Sequence, residues 1–557
     1  MVRPPDGPRS GALSATRIRA VLVVAVVATL LVLPPVGRRL IATGGINGDD
    51  EARYPLMARD MLARGAWFDI QVRGERTWEK PPLLPWMIAA FARIRGSVTE
   101  GTAHLPAALA TIVTVIATFL LADALFTRRA GLWGALILIT SYDFYANSQQ
   151  VLPDMLVVGF STLAAWCFWQ AVSVPSRGRW GWVAFYGAIA LAVFAKGPLG
   201  LVALLSVAIW LWTEHGAVGT VRHLWQPAGL GLFALITLAW LGPFFALGPR
   251  SFWQHTIWGD WLTWYFGLPN DAHDLVYTVV LGFLPWTLVG ALALAHGIRA
   301  WNAPAVRFAL LWFAVPFAVL LLSAHQKHRY ALSMYPGAAL MVAWWADAHG
   351  TNRTFVERVV GWVAVGGGAA IAVALRMPQW WDPQMQLYVS GASWRLLLPV
   401  FAGLAVIAIA FCWGLCAGRP AFLVYGGVAG MVIILGYGIW PFNQRYNEVW
   451  NFKALASRMD AYAQHGMPAI FKHRPDWLAI DFYAGRSPHS IDTIEEFNAY
   501  LARPQHPVVV VDEKGWRNYG AQLAPMPRVL EQMAIGKETL MIVRADDGIP
   551  RDQVPRR

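Results

Sequence analysis

The sequence predicts a polytopic α-helical membrane protein with a small soluble α/β domain at its C-terminal end. Three observations predict it. Of 557 residues, 57% are hydrophobic and only 14% are charged, against about 25% charged in an ordinary soluble domain. Long apolar runs recur along the chain and are continuous rather than alternating, which argues against a transmembrane barrel. Polar residues gather in a few short segments and in one C-terminal stretch of ordinary composition. The mean hydropathy of +0.43 excludes a soluble globular enzyme, a disordered chain and a coiled coil. Lys and Arg number 45 against 33 Asp and Glu, a net +12. In a membrane protein that excess marks cytoplasmic loops or anionic partners, and no nucleic-acid partner is expected. Cys167, Cys412 and Cys416 all lie in apolar runs, so there is neither a disulfide framework nor a CxxC metal pair.

The elements follow in order. A basic arm with Arg3, Arg9, Arg17 and Arg19 precedes the apolar run Ala20–Val36. That run is long for a signal peptide and lacks a clear cleavage site, so it reads as a first span that stays, with its arm in the cytoplasm. Residues 37–102 are polar and lie outside that span; within them Tyr54–Leu62 and Pro82–Phe91 read as interfacial helices. Further apolar runs lie near 103–126, 131–146, 154–173, 180–194, 198–213, 228–248, 276–298, 305–323, 330–347, 357–375, 395–413 and 421–440. With the first, they make roughly thirteen spans. Arginines then fall in alternate turns, at Arg128, Arg129, Arg177, Arg179, Arg222, Arg299, Arg307, Arg353, Arg358 and Arg419, as the positive-inside rule requires. Arg38 and Arg39 are the exception. The opposite, outer face receives residues 37–102, 147–153, Lys196, 249–275, 324–329 and everything after 440. Residues 1–442 therefore read as a membrane domain with juxtamembrane helices within 41–102, and 443–557 as an outer α/β domain. In that domain Asn451–Gln464 and Thr493–Ala502 read as helices. Ala469–Lys472, Pro507–Val511 and Thr539–Val543 read as strands.

Six polar constellations mark the outer face. Gly48-Asp49-Asp50-Glu51-Ala52-Arg53-Tyr54 offers a carboxylate base at the membrane surface, or a helix cap by Asp49 or Asp50. Glu79-Lys80-Pro81-Pro82 holds a lysine on a stiff backbone, where it could grip a phosphate or a lipid headgroup. Asp154 opens a span, as a functional carboxylate or as a cap after Pro153. Lys196-Gly197-Pro198 places a cation at an apolar turn, for function or for snorkelling. His325-Gln326-Lys327-His328-Arg329-Tyr330 reads as a phosphate clamp or an interfacial anchor. Phe252–Tyr265, with His255, Asp260 and four tryptophans, reads as an aromatic belt or a sugar-stacking wall. No Walker A, Rossmann, zinc-protease or serine-elbow pattern stands in a suitable context.

Taken in this order, Asp50-Glu51-Ala52-Arg53-Tyr54, Glu79-Lys80-Pro81-Pro82-Leu83, Asp154, Lys196-Gly197-Pro198 and Lys327…Tyr330…Pro336 resemble the polyprenyl-phosphate-sugar glycosyltransferases of the GT-C fold. The aminoarabinose lipid A transferases are the nearest subgroup, and the protein O-mannosyltransferases are more distant. Asp481-Phe482-Tyr483-Ala484-Gly485-Arg486 resembles that subgroup's periplasmic domain. The resemblance implies transfer of a sugar, 4-amino-4-deoxy-L-arabinose in that subgroup, from undecaprenyl phosphate to a periplasmic acceptor such as lipid A. It implies a monomer in the bacterial inner membrane. It assigns Asp50 and Asp154 as catalytic carboxylates. Arg53, Tyr54, Lys80, Lys196 and Tyr330 match positions that meet the donor and its phosphate. Glu79 and His255 match positions for a divalent metal, zinc, magnesium or manganese. The loop departs from the family where Trp and Asp stand around Trp258–Trp264 in place of a His and an Arg. No nucleotide is expected, because the activated sugar arrives on lipid. Transfer to a protein or polysaccharide stays open, and a sugar-lipid flippase is the rival from another class. The flippase would carry its polar residues through the spans rather than at one face.

Overall fold

The computed structural model describes residues 15–42, 45–46, 48–77, 80–248, 257, 261, 277–323, 328–348, 354–377, 394–463, 467–472, 477–485, 488–503, 507–523 and 527–545. A long first helix, α1 (Ala15–Ala42), is followed by α2 (Asp49–Arg64), the hairpin β1 (Gln71–Val72) and β2 (Glu75–Arg76), and α3 (Leu83–Arg95). Helices α2 and α3 cover the stretches Tyr54–Leu62 and Pro82–Phe91 read as helices from the sequence, with a small hairpin between them.

Next come α4 (Glu100–Leu125), α5 (Arg128–Ile139), α6 (Tyr142–Asn147), α7 (Asp154–Ser173), α8 (Gly178–Lys196), α9 (Val202–Leu224) and α10 (Pro227–Leu247). Among the described residues, eight helical stretches are long and apolar enough to cross a membrane. One of them, Pro175–Leu224, has 50 residues, or roughly 75 Å if straight. It breaks at Lys196-Gly197 into α8 and α9, so it holds two of the expected runs.

Three of the roughly thirteen expected runs form shorter helices, of 12, 13 and 14 residues. The 131–146 run stops at Ile139 because Thr140 and Ser141 turn their hydroxyls back onto the carbonyls of Leu136 and Ile137, at 2.6 and 2.8 Å. The 276–298 run begins a regular helix only at Thr287. The 330–347 run starts with a 3-10 segment, His328–Met334, and continues as Tyr335–Ala348, buried along nearly its whole length at the centre of the bundle.

The arginine-bearing turns are tied together. Arg129 pairs with Asp347 at 3.7 Å, Thr127 donates to the same carboxylate at 2.6 Å, and Arg307 pairs with Glu214. The α7–α8 hairpin runs from Asp154 at the opposite end to this basic end and back to Lys196.

The C-terminal part builds a five-stranded sheet of order β4-β3-β5-β7-β6. Its strands are β3 (Ala469–Phe471), β4 (His489–Ile491), β5 (Val508–Asp512), β6 (Pro527–Ile535) and β7 (Glu538–Ala545). The β3 strand runs parallel to β4 and β5, while β7 runs antiparallel to β5 and β6. Val508, Val509, Val510 and Val511 are buried, as a continuous apolar run in a sheet covered on both faces should be. Strands β3, β5 and β7 and the expected helices within Asn451–Gln464 and Thr493–Ala502 form as read. The strands β4 and β6 and the helices Leu478–Tyr483 and Glu513–Tyr519 were not foreseen.

Candidate active site

Three helix ends and one 3-10 segment build the site. The first is the start of α2. Its N-cap is Gly48, in extended backbone (φ −113°, ψ 155°) and with no side chain to bond the helix end. Asp49 and Asp50 are therefore the first two helical residues, and neither takes the cap position expected of it. The same correction holds at α7: Pro153 is the N-cap and Asp154 is the first helical residue. Both carboxylates lie where the positive end of a helix favours them.

Asp154 is buried, with 3% of its side chain exposed. Lys196, the last residue of α8, reaches it at 2.5 Å from Nζ to Oδ1. The other oxygen, Oδ2, is buried and has no hydrogen-bond partner among the described residues. The Lys196 ammonium also stands 4.4 Å from the centroid of the Tyr330 ring, a cation–π contact. Immediately beyond it Gly197 takes φ +65° and ψ −140°, a region open essentially to glycine. A Cβ there would lie 3.2 Å from the indole of Trp261. Trp261 thus buttresses the lysine turn, and it sits 6.2 Å from Trp240, which stacks on Phe194 of α8. One aromatic of the expected belt is therefore a wall of the site.

Asp50 meets Arg329, whose Nη2 donates to its Oδ2 at 2.8 Å. Arg329 lies within the electrostatic reach of Asp154 as well as Asp50. Burial works against its charge, but the two carboxylates outweigh it and hold the guanidinium more firmly protonated than usual. Tyr54 is buried between the two halves. Burial first, then the charges of Asp50 and Asp154, push its phenol well above the ordinary value, so it is a neutral hydroxyl. Arg53 is half-buried next to Tyr54 and acts on it electrostatically, and Lys80 lies close enough to Lys196 for their charges to repel.

The structure so brings Asp50, Arg53, Tyr54, Lys80, Asp154, Lys196 and Tyr330 into one neighbourhood. A narrow crevice with room for little more than a water, lined by Leu199, Val202, Pro316, Leu320, Ser323 and Tyr330, lies beside it. Glu79 and His255, the expected metal ligands, lie outside the described residues, as do His325, Gln326 and Lys327. Among the described residues no group of three or more His, Cys, Asp or Glu gathers to hold a metal.

Two residues of the site escaped assignment from sequence. Arg329 was visible only as one of several basic residues beside Tyr330. Glu51 is buried and accepts from the Val151 amide at 3.4 Å, joining α2 to the segment before α7. Its place in an acidic triplet gave no sign of that role.

Residues 79–241 match the family model described as dolichyl-phosphate-mannose-protein mannosyltransferase. Over 411 residues the chain is 29% identical to undecaprenyl phosphate-alpha-4-amino-4-deoxy-L-arabinose arabinosyl transferase 2 of Sodalis glossinidius, covering 69% of this chain and 72% of that one. The Shewanella sediminis transferase of the same kind is 25% identical over 407 residues, covering 69% and 71%. The crystal structure of ArnT from Cupriavidus metallidurans, bound to undecaprenyl phosphate, superposes with a TM-score of 0.76 at 17% identity, covering 96% of this chain and 99% of that one. The chain is a GT-C-fold glycosyltransferase. The matched family segment carries Lys80, Asp154 and Lys196 of this glycosyltransferase, while Asp50, Arg53, Tyr54 and Tyr330 fall outside it. Its helices make it a multi-pass membrane protein.

Proposed function

We propose that this glycosyltransferase moves a sugar from a polyprenyl phosphate to an acceptor at the outer, periplasmic face of a bacterial inner membrane. The observation that carries it is the pairing of two acids with two bases, Asp50–Arg329 and Asp154–Lys196, around Tyr330 at one end of the apolar helices α7 and α8. A lipid with a phosphate head and an apolar tail needs these two surfaces side by side. The relatives whose names specify undecaprenyl phosphate and aminoarabinose support that donor class, and 4-amino-4-deoxy-L-arabinose with lipid A as acceptor is the specific form we favour. The chain acts as a monomer in this reading. Residues 1–442 form its catalytic membrane domain, and 443–557 its periplasmic one.

The residues divide the work by charge. Asp50 is half-exposed, with 45% of its side chain accessible, and takes the proton of the acceptor hydroxyl. The acceptor oxygen bonds to the anomeric carbon as the bond from that carbon to the phosphate oxygen breaks. The electron pair leaves with the polyprenyl phosphate, in a single displacement that inverts the sugar. Lys196, Arg53 and Lys80 stabilise the charge that grows on the departing phosphate. Asp154 holds Lys196 in place, and Arg329 orients Asp50. Glu79 and His255 are the side chains to which a divalent cation would belong, and no step above passes through one.

The test is Asp50→Asn in purified full-length protein supplied with polyprenyl-phosphate sugar. Transfer should fall by roughly 10²-fold or more, as loss of a general base predicts, while donor binding persists. Undiminished turnover would remove Asp50 from the reaction. Sugar-lipid crossing liposomes without covalent transfer would favour the flippase instead.

A further inference from the structure

The C-terminal domain reaches the active-site helix through one short segment. Asp481, Phe482 and Tyr483 end the helix Leu478–Tyr483 and touch the membrane-side elements at three points. Arg59, in the middle of α2, donates to the backbone carbonyls of Asp481 and Phe482 at 3.1 and 2.7 Å, and its guanidinium covers the Phe482 ring at 5.1 Å. A cation on the last carbonyls of a helix is the favoured charge there. Arg73 makes a two-point contact with the fully buried Asp481 carboxylate, at 3.3 and 2.9 Å. The Tyr483 hydroxyl accepts from the Ile46 amide at 3.0 Å, two residues before the cap of α2. Lys453 adds an ion pair to Glu100 of α4 at 3.2 Å.

The placement of Arg73 is costly in itself. It stands at φ +58° in a two-residue turn with Gly74 at φ +80°, a hairpin position that favours Asn, Asp or Gly. The arginine is kept there with its side chain delivered to Asp481. The hairpin is in turn fastened to α2, because Asp60 accepts from the Gln71 amide at 3.1 Å and pairs with Arg64. The segment before α2, its middle and the hairpin after it are therefore all held by three consecutive residues of the other domain. The start of α2 carries Asp50, Arg53 and Tyr54.

We propose that Asp481, Phe482 and Tyr483 are positioning residues: they clamp α2 and so fix Asp50 against Arg329 and Asp154 for the transfer reaction, an inference that rests on the transferase reading above. The C-terminal domain is then part of the catalytic apparatus without touching substrate.

The experiment compares Tyr483→Phe, Asp481→Asn, Arg59→Lys and Arg59→Ala in full-length protein with two readouts. In steady-state kinetics, kcat should drop by roughly 10- to 100-fold in Tyr483→Phe and Asp481→Asn, the scale on which a slightly misplaced catalytic group is felt. KM for the lipid donor should stay within about twofold, since Lys196 and Tyr330 are untouched. Arg59→Lys, which keeps a cation on the carbonyls, should retain more activity than Arg59→Ala. In hydrogen exchange, the amides of 49–56 should open faster while those of β5 keep their protection. Unchanged exchange at 49–56 in both Tyr483→Phe and Asp481→Asn, or a raised KM with unaltered kcat, would overturn the proposal. Tyr483→Phe removes a single oxygen and answers for any failure of Asp481→Asn to fold. The exchange arm needs no turnover, so a wild-type protein that transfers no sugar would refute the transferase reading while the clamp is still judged on exchange.

Discussion

Replacing Lys196 with Met should uncouple stability from activity in a way that tests the buried pair directly. Its Nζ lies 2.5 Å from Asp154 Oδ1, and the two side chains are 20% and 3% exposed. At an effective dielectric constant of about 20, charges at that separation attract by roughly 7 kcal/mol. Desolvation consumes much of this, so the pair contributes little relative to an apolar substitute. Removing one partner is another matter: it strands a buried charge and costs about 3–5 kcal/mol. Lys196→Met should therefore lower the unfolding midpoint in detergent clearly. Adding Asp154→Leu should restore most of the loss, because the stranded carboxylate has gone. Transfer should be lost in both variants, by roughly 10²- to 10³-fold, since the cation facing the leaving phosphate is absent in both. Midpoints and turnover are measured side by side across the four proteins of the cycle. A single variant as stable as wild type, or a double variant that regains turnover, would refute the reasoning.

Two further outcomes follow from the same corner. Tyr330→Leu removes the ring over Lys196, a contact worth about 0.5–2 kcal/mol, and should slow transfer by roughly 2- to 30-fold, whereas Tyr330→Phe keeps the ring and should stay near wild type; equal losses would discount the contact. Gly197→Ala meets both a forbidden backbone region and the Trp261 indole at 3.2 Å, so it should cost about 1–3 kcal/mol and depress turnover. Gly216→Ala is the control: that glycine also has positive φ, at +69°, but open space around it and a place far along α9, so it should cost stability and spare turnover.

Local pattern carried the sequence reading far. The stretches Tyr54–Leu62 and Pro82–Phe91, read as interfacial helices, became α2 and α3. The meeting of Asp154 with Lys196 was also within reach, since two apolar runs joined by an arginine turn must form a hairpin whose free ends lie together. Contacts that span the chain were not legible. Arg329 and Asp50 are 279 residues apart, and Arg73 and Asp481 are 408 apart. No periodicity encodes which loop meets which. The cap readings failed for a local reason, because Gly48 and Pro153 took the cap positions and moved each aspartate one or two places into its helix. Strand β4 escaped because two of its three residues, His489 and Ser490, are polar, and β6 because it opens on Pro527 and mixes Glu531 and Gln532 into its length.

The helix ends themselves carry one more consequence. Asp50 and Asp154 stand at the amino ends of their helices, and Lys196 at the carboxyl end of its own. Each ionised group sits where the peptide dipoles of its own segment favour that sign, by about 0.3–1 kcal/mol apiece. The backbone thus writes the polarity of this corner before any lipid arrives. Charge separation is a standing property of the resting protein, and a substrate meets a field already oriented rather than one it must induce.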